Sequence, residues 1–398
     1  MVTTAAATWI ERGGELWREP WPDYRALRDD DPVHHVDWGD FWVLSRFSDV
    51  FEAARDTTTF SSAQGLTHNY GDRDAMGVDI TPIVMMDPPE HTAFRRAVAK
   101  GFTPRQVATL EPMVRDFVVE RVEQLRAAGD GDVVAELLKP LPSFVVAHYL
   151  GVPAEDRALF DRWTEAIVAA NAAGDAMDAG EAIGELVGYF AELVERRRVE
   201  PEDDVVSHLL AAGLDADTEL IEILGFTFTM VAGGNDTTTG LLSGAAAILT
   251  DRLDQRKILI DTPDLIGPAV DEFLRLTSPV QNLARTTTRP VTVHDVEIPA
   301  DKKVLLLYGS ANRDEREFGP TAGGCDVSRP IARMVAFSYG AHHCLGAAAA
   351  RLQARVALEE LLGRCPEFTV DAAAGRFAAG PFVRRYESLP FSAAGAGS

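Results

Sequence analysis

Apolar side chains recur every three or four residues along most of the chain. This period predicts helices over Tyr24–Arg28, Asp49–Arg55, His91–Lys100, Val107–Arg126, Ala154–Asn171, Ala179–Arg198, Thr218–Thr250, Pro268–Leu276 and Ala347–Leu362. Alternation with a period of two is scarcer. It predicts strands in Val33–Ser45, where Gly39-Asp40 supplies a hairpin turn, in Val291–Leu307, and around Phe368 and Phe391. The pattern specifies a mainly α fold with small peripheral β-sheets. Pro and acid clusters such as Pro201-Glu202-Asp203-Asp204 are short, and no repeat or low-complexity linker divides the chain, so residues 1–398 read as a single domain.

With 398 residues, 46% of them apolar, the chain can bury a large core. Its formal charge of −23 is spread along the whole sequence, which describes a solvated acidic surface and argues against nucleic acid as a partner. The most apolar segment, Leu220–Thr250, carries Glu222, Asn235, Asp236 and six Thr, so it predicts a helix buried in protein and no membrane anchor. Cys325, Cys344 and Cys365 form no C-x-x-C pair, and Met1-Val2-Thr3-Thr4-Ala5 opens no signal-peptide pattern. A reducing cytoplasm is the expected location.

The segment Phe337-Ser338-Tyr339-Gly340-Ala341-His342-His343-Cys344-Leu345-Gly346 changes the picture. An aromatic seven residues before a cysteine, with a glycine on either side, arises by chance on the order of 3 × 10⁻⁴ per cysteine at this composition. Each residue has a use if Cys344 binds a haem iron. Gly340 lets the backbone turn and approach a flat macrocycle, Gly346 keeps the following helix tight against it, and Phe337 shields the sulfur. The helix starting near Ala347 points its positive end at Cys344 and favours the thiolate. A single axial thiolate leaves the opposite face of the iron open and promotes O–O cleavage. A zinc site of His342, His343 and Cys344 lacks a second ligand pair.

This loop resembles the cysteine-ligand signature of the cytochrome P450 family, the haem-thiolate monooxygenases. Inside the long apolar helix, Gly233-Gly234-Asn235-Asp236-Thr237 places poor helix formers where burial should be greatest, which predicts a local widening or kink with the Thr237 hydroxyl turned inward. It matches the family's Gly-Gly-x-Asp-Thr pattern. The resemblance implies that Thr237 hydrogen-bonds the oxygen being reduced and that Asp236 relays protons. In Met86-Asp87-Pro88-Pro89-Glu90-His91-Thr92-Ala93-Phe94-Arg95, His91 and Arg95 lie one turn apart on one helix face, a placement suited to anionic oxygens. The resemblance assigns them, with Arg285 and His342, to the haem propionates. Glu272 and Arg275, at the i,i+3 spacing of any helix surface pair, match a buried structural ion pair of the family.

Similarity runs from Trp21-Pro22-Asp23-Tyr24 to the C-terminal strands and is greatest to soluble actinobacterial members. Three departures stand out. Ser338 replaces a usual Gly, Met334 a common His, and Gly324-Cys325 an Arg-Phe pair that supplies a third partner to Glu272 and Arg275, for which Arg329 is the substitute.

The resemblance implies a monooxygenase that binds haem b, consumes O2, and takes electrons from a ferredoxin and its ferredoxin reductase. The chain's three cysteines cannot form a four-cysteine cluster. Basic residues Arg95, Arg96, Lys100, Arg105, Arg351, Arg355 and Arg364 are the expected docking patch, with Arg95 consumed by a propionate. A hydrophobic small-molecule substrate is expected among Ser62–Val84, Phe160–Asp175, Phe226–Gly233, Val280–Leu283 and Pro381–Val383, with Asn171, Gln281 and Asn282 as polar anchors. The alternatives are a peroxide-driven oxygenase and a non-catalytic gas sensor or carrier.

Overall fold

Burial of the periodic apolar positions accounts for most of the helices. A computed structural model describes residues 13–71, 81–173, 180–212 and 219–393. Helix α1 (Trp21–Asp30) leads into strands β1 (Val33–Val36) and β2 (Phe41–Leu44), paired antiparallel about a turn in which Asp40 takes a positive φ of 49°. Helix α2 (Phe47–Arg55) buries Phe47, Val50, Phe51 and Ala54, one face of a 3.6-residue repeat. The short β3 (Phe60–Ser61) follows.

Helix α3 (Glu90–Val98) carries His91 and Arg95 and continues as a 3-10 turn over Ala99–Phe102. The helix predicted over Val107–Arg126 is two helices, Pro104–Ala108 and α4 (Glu111–Ala128). Pro112 explains the break, because it has no N–H to donate to the preceding turn. Helix α5 (Pro140–Tyr149) escapes the periodic reading. Pro140 and Pro142 look like breakers but lie in its first turn, where a missing N–H costs nothing. Helices α6 (Arg157–Ala173) and α7 (Gly180–Val199) come next.

Helix α8 (Glu219–Asp251) runs through the middle of the molecule and packs on α5, α6 and α7. It is followed by α9 (Leu253–Asp261) and α10 (Ile266–Thr277), the latter also packed on α8. Strands β4 (Leu283–Thr287) and β5 (Lys303–Leu306) complete a sheet of order β1-β2-β5-β4-β3, with only the β2–β5 pair parallel. Strand β4 showed no alternation because it is covered on both faces: Ala284, Arg285, Thr286 and Thr287 are all buried. Helix α11 (Ala347–Arg364) lies along α4 and against α8 and α10. The strands expected around Phe368 and Phe391 are Thr369–Val370 and Pro390–Ser392, paired antiparallel. Among the described residues no helix is long and apolar enough to cross a membrane.

Candidate active site

The loop before α11 is closed by the Cys344 N–H, which donates to the Phe337 carbonyl at 2.9 Å. Gly340 takes a φ of +70°, and a Cβ there would lie 3.1 Å from Arg55 Cα and 3.2 Å from the Ala54 carbonyl oxygen. Close packing on α2, together with the turn, requires this glycine. Gly346 has ordinary torsions, and a Cβ there would come within 4.0 Å of Cys344 Sγ and of no other side chain. Its missing side chain keeps space beside the sulfur. Phe337 is half-buried, edge-on to His343 and covered by the Arg351 guanidinium at 4.8 Å.

Ser338, where glycine is usual, has a φ of +56°. Its hydroxyl accepts from the Tyr308 hydroxyl at 3.3 Å, a long bond that compensates little. Ser338→Gly is expected to stabilise the protein by about 0.5–1 kcal/mol, by relieving the left-handed conformation. Denaturant midpoints of the two proteins check this. A loss of stability would show that the Tyr308 bond outweighs the backbone term.

Cys344 opens into a cavity of about 470 Å³ between α8 and the loop. The residue is exposed, yet burial pushes its thiol pKa up, against the opposing pull of the Gly346 N–H, Arg95 and Arg351. Both observations hold because the surface it presents belongs to the wall of an internal space. Among residues expected at the substrate site, Leu66, Val84, Phe226, Gly233, Val280, Leu283, Phe382 and Val383 do line the cavity. Gln281 and Asn282 do not. Gln281 accepts from the Tyr24 hydroxyl at 2.8 Å and donates to the Thr277 and Ser278 carbonyls, and Asn282 donates to the Pro381 carbonyl at 3.0 Å. Both are buried structural amides. Phe160 is buried in the core; residues 72–80, 174 and 175, and the Asn171 side chain, lie outside what the structure describes.

One end of the cavity is cationic. His91 and His342 face each other with ring centroids 4.3 Å apart, and Arg95, one turn from His91, donates to the His343 carbonyl. Arg285 is buried in β4, bonded through Nη1 to the Ala284 carbonyl at 2.8 Å, and forms no ion pair among the described residues. Burial, followed by the charges of Arg285, His91 and Arg95, drives His342 down to about 3. His91 is also lowered, by burial first and Arg95 second. Its Nδ1 is buried without a partner. Ser62, which no motif singled out, reaches His342 Nε2 at 3.2 Å.

The opposite wall is α8. No widening interrupts it: the helix is continuous through Gly233-Gly234. Side chains bond back to carbonyls one turn earlier, Thr237 Oγ1 to Gly233 at 2.8 Å and Asn235 Nδ2 to Val231 at 2.7 Å, sharing those acceptors with the backbone ladder. The two glycines differ. A Cβ on Gly234 would strike Val146 of α5 at 2.8 Å, whereas nothing lies within 4 Å of one on Gly233, which is open to the cavity. Asp236 pairs with Arg385 at 2.7 Å. Burial raises its pKa, offset in part by Arg385 and Lys139. No local signal in the sequence marks Arg385.

A model of the cytochrome P450 family matches residues 265–372. Cytochrome P450 130 of Mycobacterium tuberculosis is 60% identical over 387 residues, covering 95% of this chain and 96% of that protein. The chain belongs to the cytochrome P450 family. Vitamin D(3) 25-hydroxylase of Pseudonocardia autotrophica is 36% identical over 366 residues, 90% of this chain and 89% of its own. The solved structure of cytochrome P450 CYP109Q5 from Chondromyces apiculatus superposes with a TM-score of 0.85 at 33% identity, covering 96% of this chain and 97% of that one. The protein is therefore a P450 monooxygenase, an oxidoreductase of a haem-binding family. Its residues fit that cofactor: an orphaned His91 nitrogen, an Arg95 guanidinium without an ion pair among the described residues, an open thiol, and helix backbone bared at Gly233 line one space.

Two supporting features of this P450 depend on tertiary contacts. Arg275 grips Glu272 with two bonds of 2.8 Å, both side chains fully buried, and reaches the Asn312, Ala322 and Gly324 carbonyls. Arg329 completes the group, 3.3 Å from Glu272. Fewer of the basic residues expected to form a docking patch are free than the sequence implied. Arg351 pairs with Asp271 at 2.7 Å, Arg355 with Glu359 at 2.9 Å and Glu111, and Arg364 with Glu123 at 2.6 Å and Glu360. Arg96, Lys100 and Arg105 are exposed and unpaired among the described residues.

Proposed function

We propose that residues 1–398 form one monooxygenase domain that holds haem b between α8 and the Cys344 loop and inserts one oxygen atom of O2 into a hydrophobic organic substrate. The observation that carries this reading is the convergence on a single cavity of the Cys344 thiol, the bare Gly233 turn with Thr237, and the His91–Arg95–His342 cluster. Cys344 would hold the haem iron, as the thiolate. Phe337 and Gly346 flank the sulfur, one shielding it and one leaving it room, and Gly340 fixes the loop on α2. His91, Arg95, Arg285 and His342 would hold the propionates, whose charge would answer the unpaired Arg95 and Arg285 guanidinium groups. Glu272 and Arg275 support the fold beneath. Bound there, the haem supplies reductive activation of O2 by electrons delivered one at a time.

The protein's part in that chemistry is to manage protons and water. Thr237 holds a proton at Oγ1 on the cavity wall, and Asp236, adjacent in sequence and paired with Arg385, stands next in line to relay one from solvent. An apolar lining excludes water and selects an apolar substrate. Electrons come from a ferredoxin and its reductase in the cytoplasm, and Arg96, Lys100 and Arg105 beside α3 offer an acidic ferredoxin a local docking charge on an otherwise acidic protein.

Purified protein given a surrogate ferredoxin, its reductase and NADPH should oxidise members of a panel of hydrophobic compounds; a gas sensor or carrier would oxidise none. Thr237→Ala should bind haem and substrate normally while product formed per NADPH falls by about tenfold or more, the electrons going to peroxide. Asp236→Asn should share that loss without adding to it if the two act in series. Unchanged coupling in Thr237→Ala would remove it from proton delivery and favour the peroxide-driven alternative.

A further inference from the structure

Arg385 lines the cavity and is not among the residues assigned to the cofactor. It lies in a C-terminal segment fixed at several points. The Gln281 N–H donates to the Phe382 carbonyl and the Arg384 N–H to the Pro279 carbonyl, each at 2.7 Å, and the Ala378 N–H donates to the Arg385 carbonyl at 3.0 Å. The segment also presses on α8, since a Cβ on Gly240 would sit 2.6 Å from the Arg384 carbonyl oxygen and 3.4 Å from Arg385 Cβ. The guanidinium is thus placed before any ligand arrives. Its Nε is 2.7 Å from Asp236 Oδ1. Its two Nη nitrogens make no hydrogen bond among the described residues, and the side chain lines the cavity. The same space is lined by Val280, Leu283, Phe382 and Val383, which offer those donors nothing.

Charge decides what would satisfy them. Asp236 already balances Arg385, so a ligand carboxylate would place a second anion beside a carboxyl that burial already disfavours as an anion. A neutral carbonyl oxygen accepts the same N–H bonds without that cost. We propose that Arg385 is a specificity-determining residue, selecting substrates whose apolar body carries a neutral acceptor oxygen, a ketone, ester or lactone, over hydrocarbons and carboxylates of the same skeleton. This rests on reading the cavity as the monooxygenase site.

Calorimetric titration of the haem-loaded enzyme with matched ketone, hydrocarbon and carboxylate ligands, on steroid, macrocyclic and straight-chain skeletons, tests it. On at least one skeleton the ketone should bind about tenfold or more tighter than the hydrocarbon, and tighter than the carboxylate. Arg385→Met should bring ketone and hydrocarbon within about twofold with hydrocarbon affinity retained. Arg385→Met with Asp236→Asn, which leaves no unpaired buried carboxylate, should behave alike, and Arg385→Lys should recover part of the preference. No ketone preference on any skeleton, undetectable binding included, overturns the proposal. So does tightest binding of the carboxylate, or a preference that survives both Met variants. The ferrous carbonyl spectrum of each sample separates the two readings. An intact thiolate band without ketone preference refutes the anchor alone, while ketone preference without that band refutes the haem assignment and leaves the anchor standing.

Discussion

Cys344→Ser is expected to abolish the red-shifted Soret band of the ferrous carbonyl complex and to reduce product formation to background. A serine hydroxyl is far too weak an acid to serve as the anionic ligand that the thiol becomes on metal binding. The fold should survive, because the Cys344 side chain faces the cavity and the loop is closed by its backbone N–H, which serine retains. Cys325→Ser and Cys365→Ser provide the contrast. Both thiols are buried in the core, 7% and 2% exposed, and burial raises their pKa values. Neither lines the cavity, so both variants should keep the band. Persistence of the thiolate spectrum in Cys344→Ser would move the ligand to another cysteine.

Arg275→Ala should destabilise the protein by about 3–5 kcal/mol, a large part of the 5–15 kcal/mol typical of a folded domain. Removing this guanidinium leaves Glu272 almost wholly buried with only the Asp326 N–H and the more distant Arg329 to answer its charge, and orphans three carbonyls as well. Arg329→Ala should cost less, because Arg275 keeps both short bonds to Glu272. Arg275→Lys should fall between them, since an ammonium cannot reproduce the two-pronged grip. Equilibrium denaturation of the purified variants gives the order. A change below about 1 kcal/mol for Arg275→Ala would mean that the pair contributes little beyond its own desolvation.

Much of this protein is written in short stretches of its chain. Helices such as α2 and α4 follow from apolar spacing alone, because burying one face of a helix needs only residues within a few turns of each other. The Phe337–Gly346 loop is equally local, and so is the i,i+4 pair of His91 and Arg95. Reading those residues together with the family resemblance was enough to name the cavity's chemistry. What the chain could not display locally is how distant segments meet. Strand β4 was hidden because burial on both faces erases alternation, and α5 because its prolines are harmless only once a helix start is known. Gly340 and Gly234 owe their identity to α2 and α5, and Gly240 to the Arg384 carbonyl. Arg355 and Arg364 read as available charges until α4 brought Glu111 and Glu123 against them. The pairing of Asp236 with Arg385 has the same origin: side chains far apart in sequence leave no periodic trace, and only the packed chain sets them 2.7 Å apart.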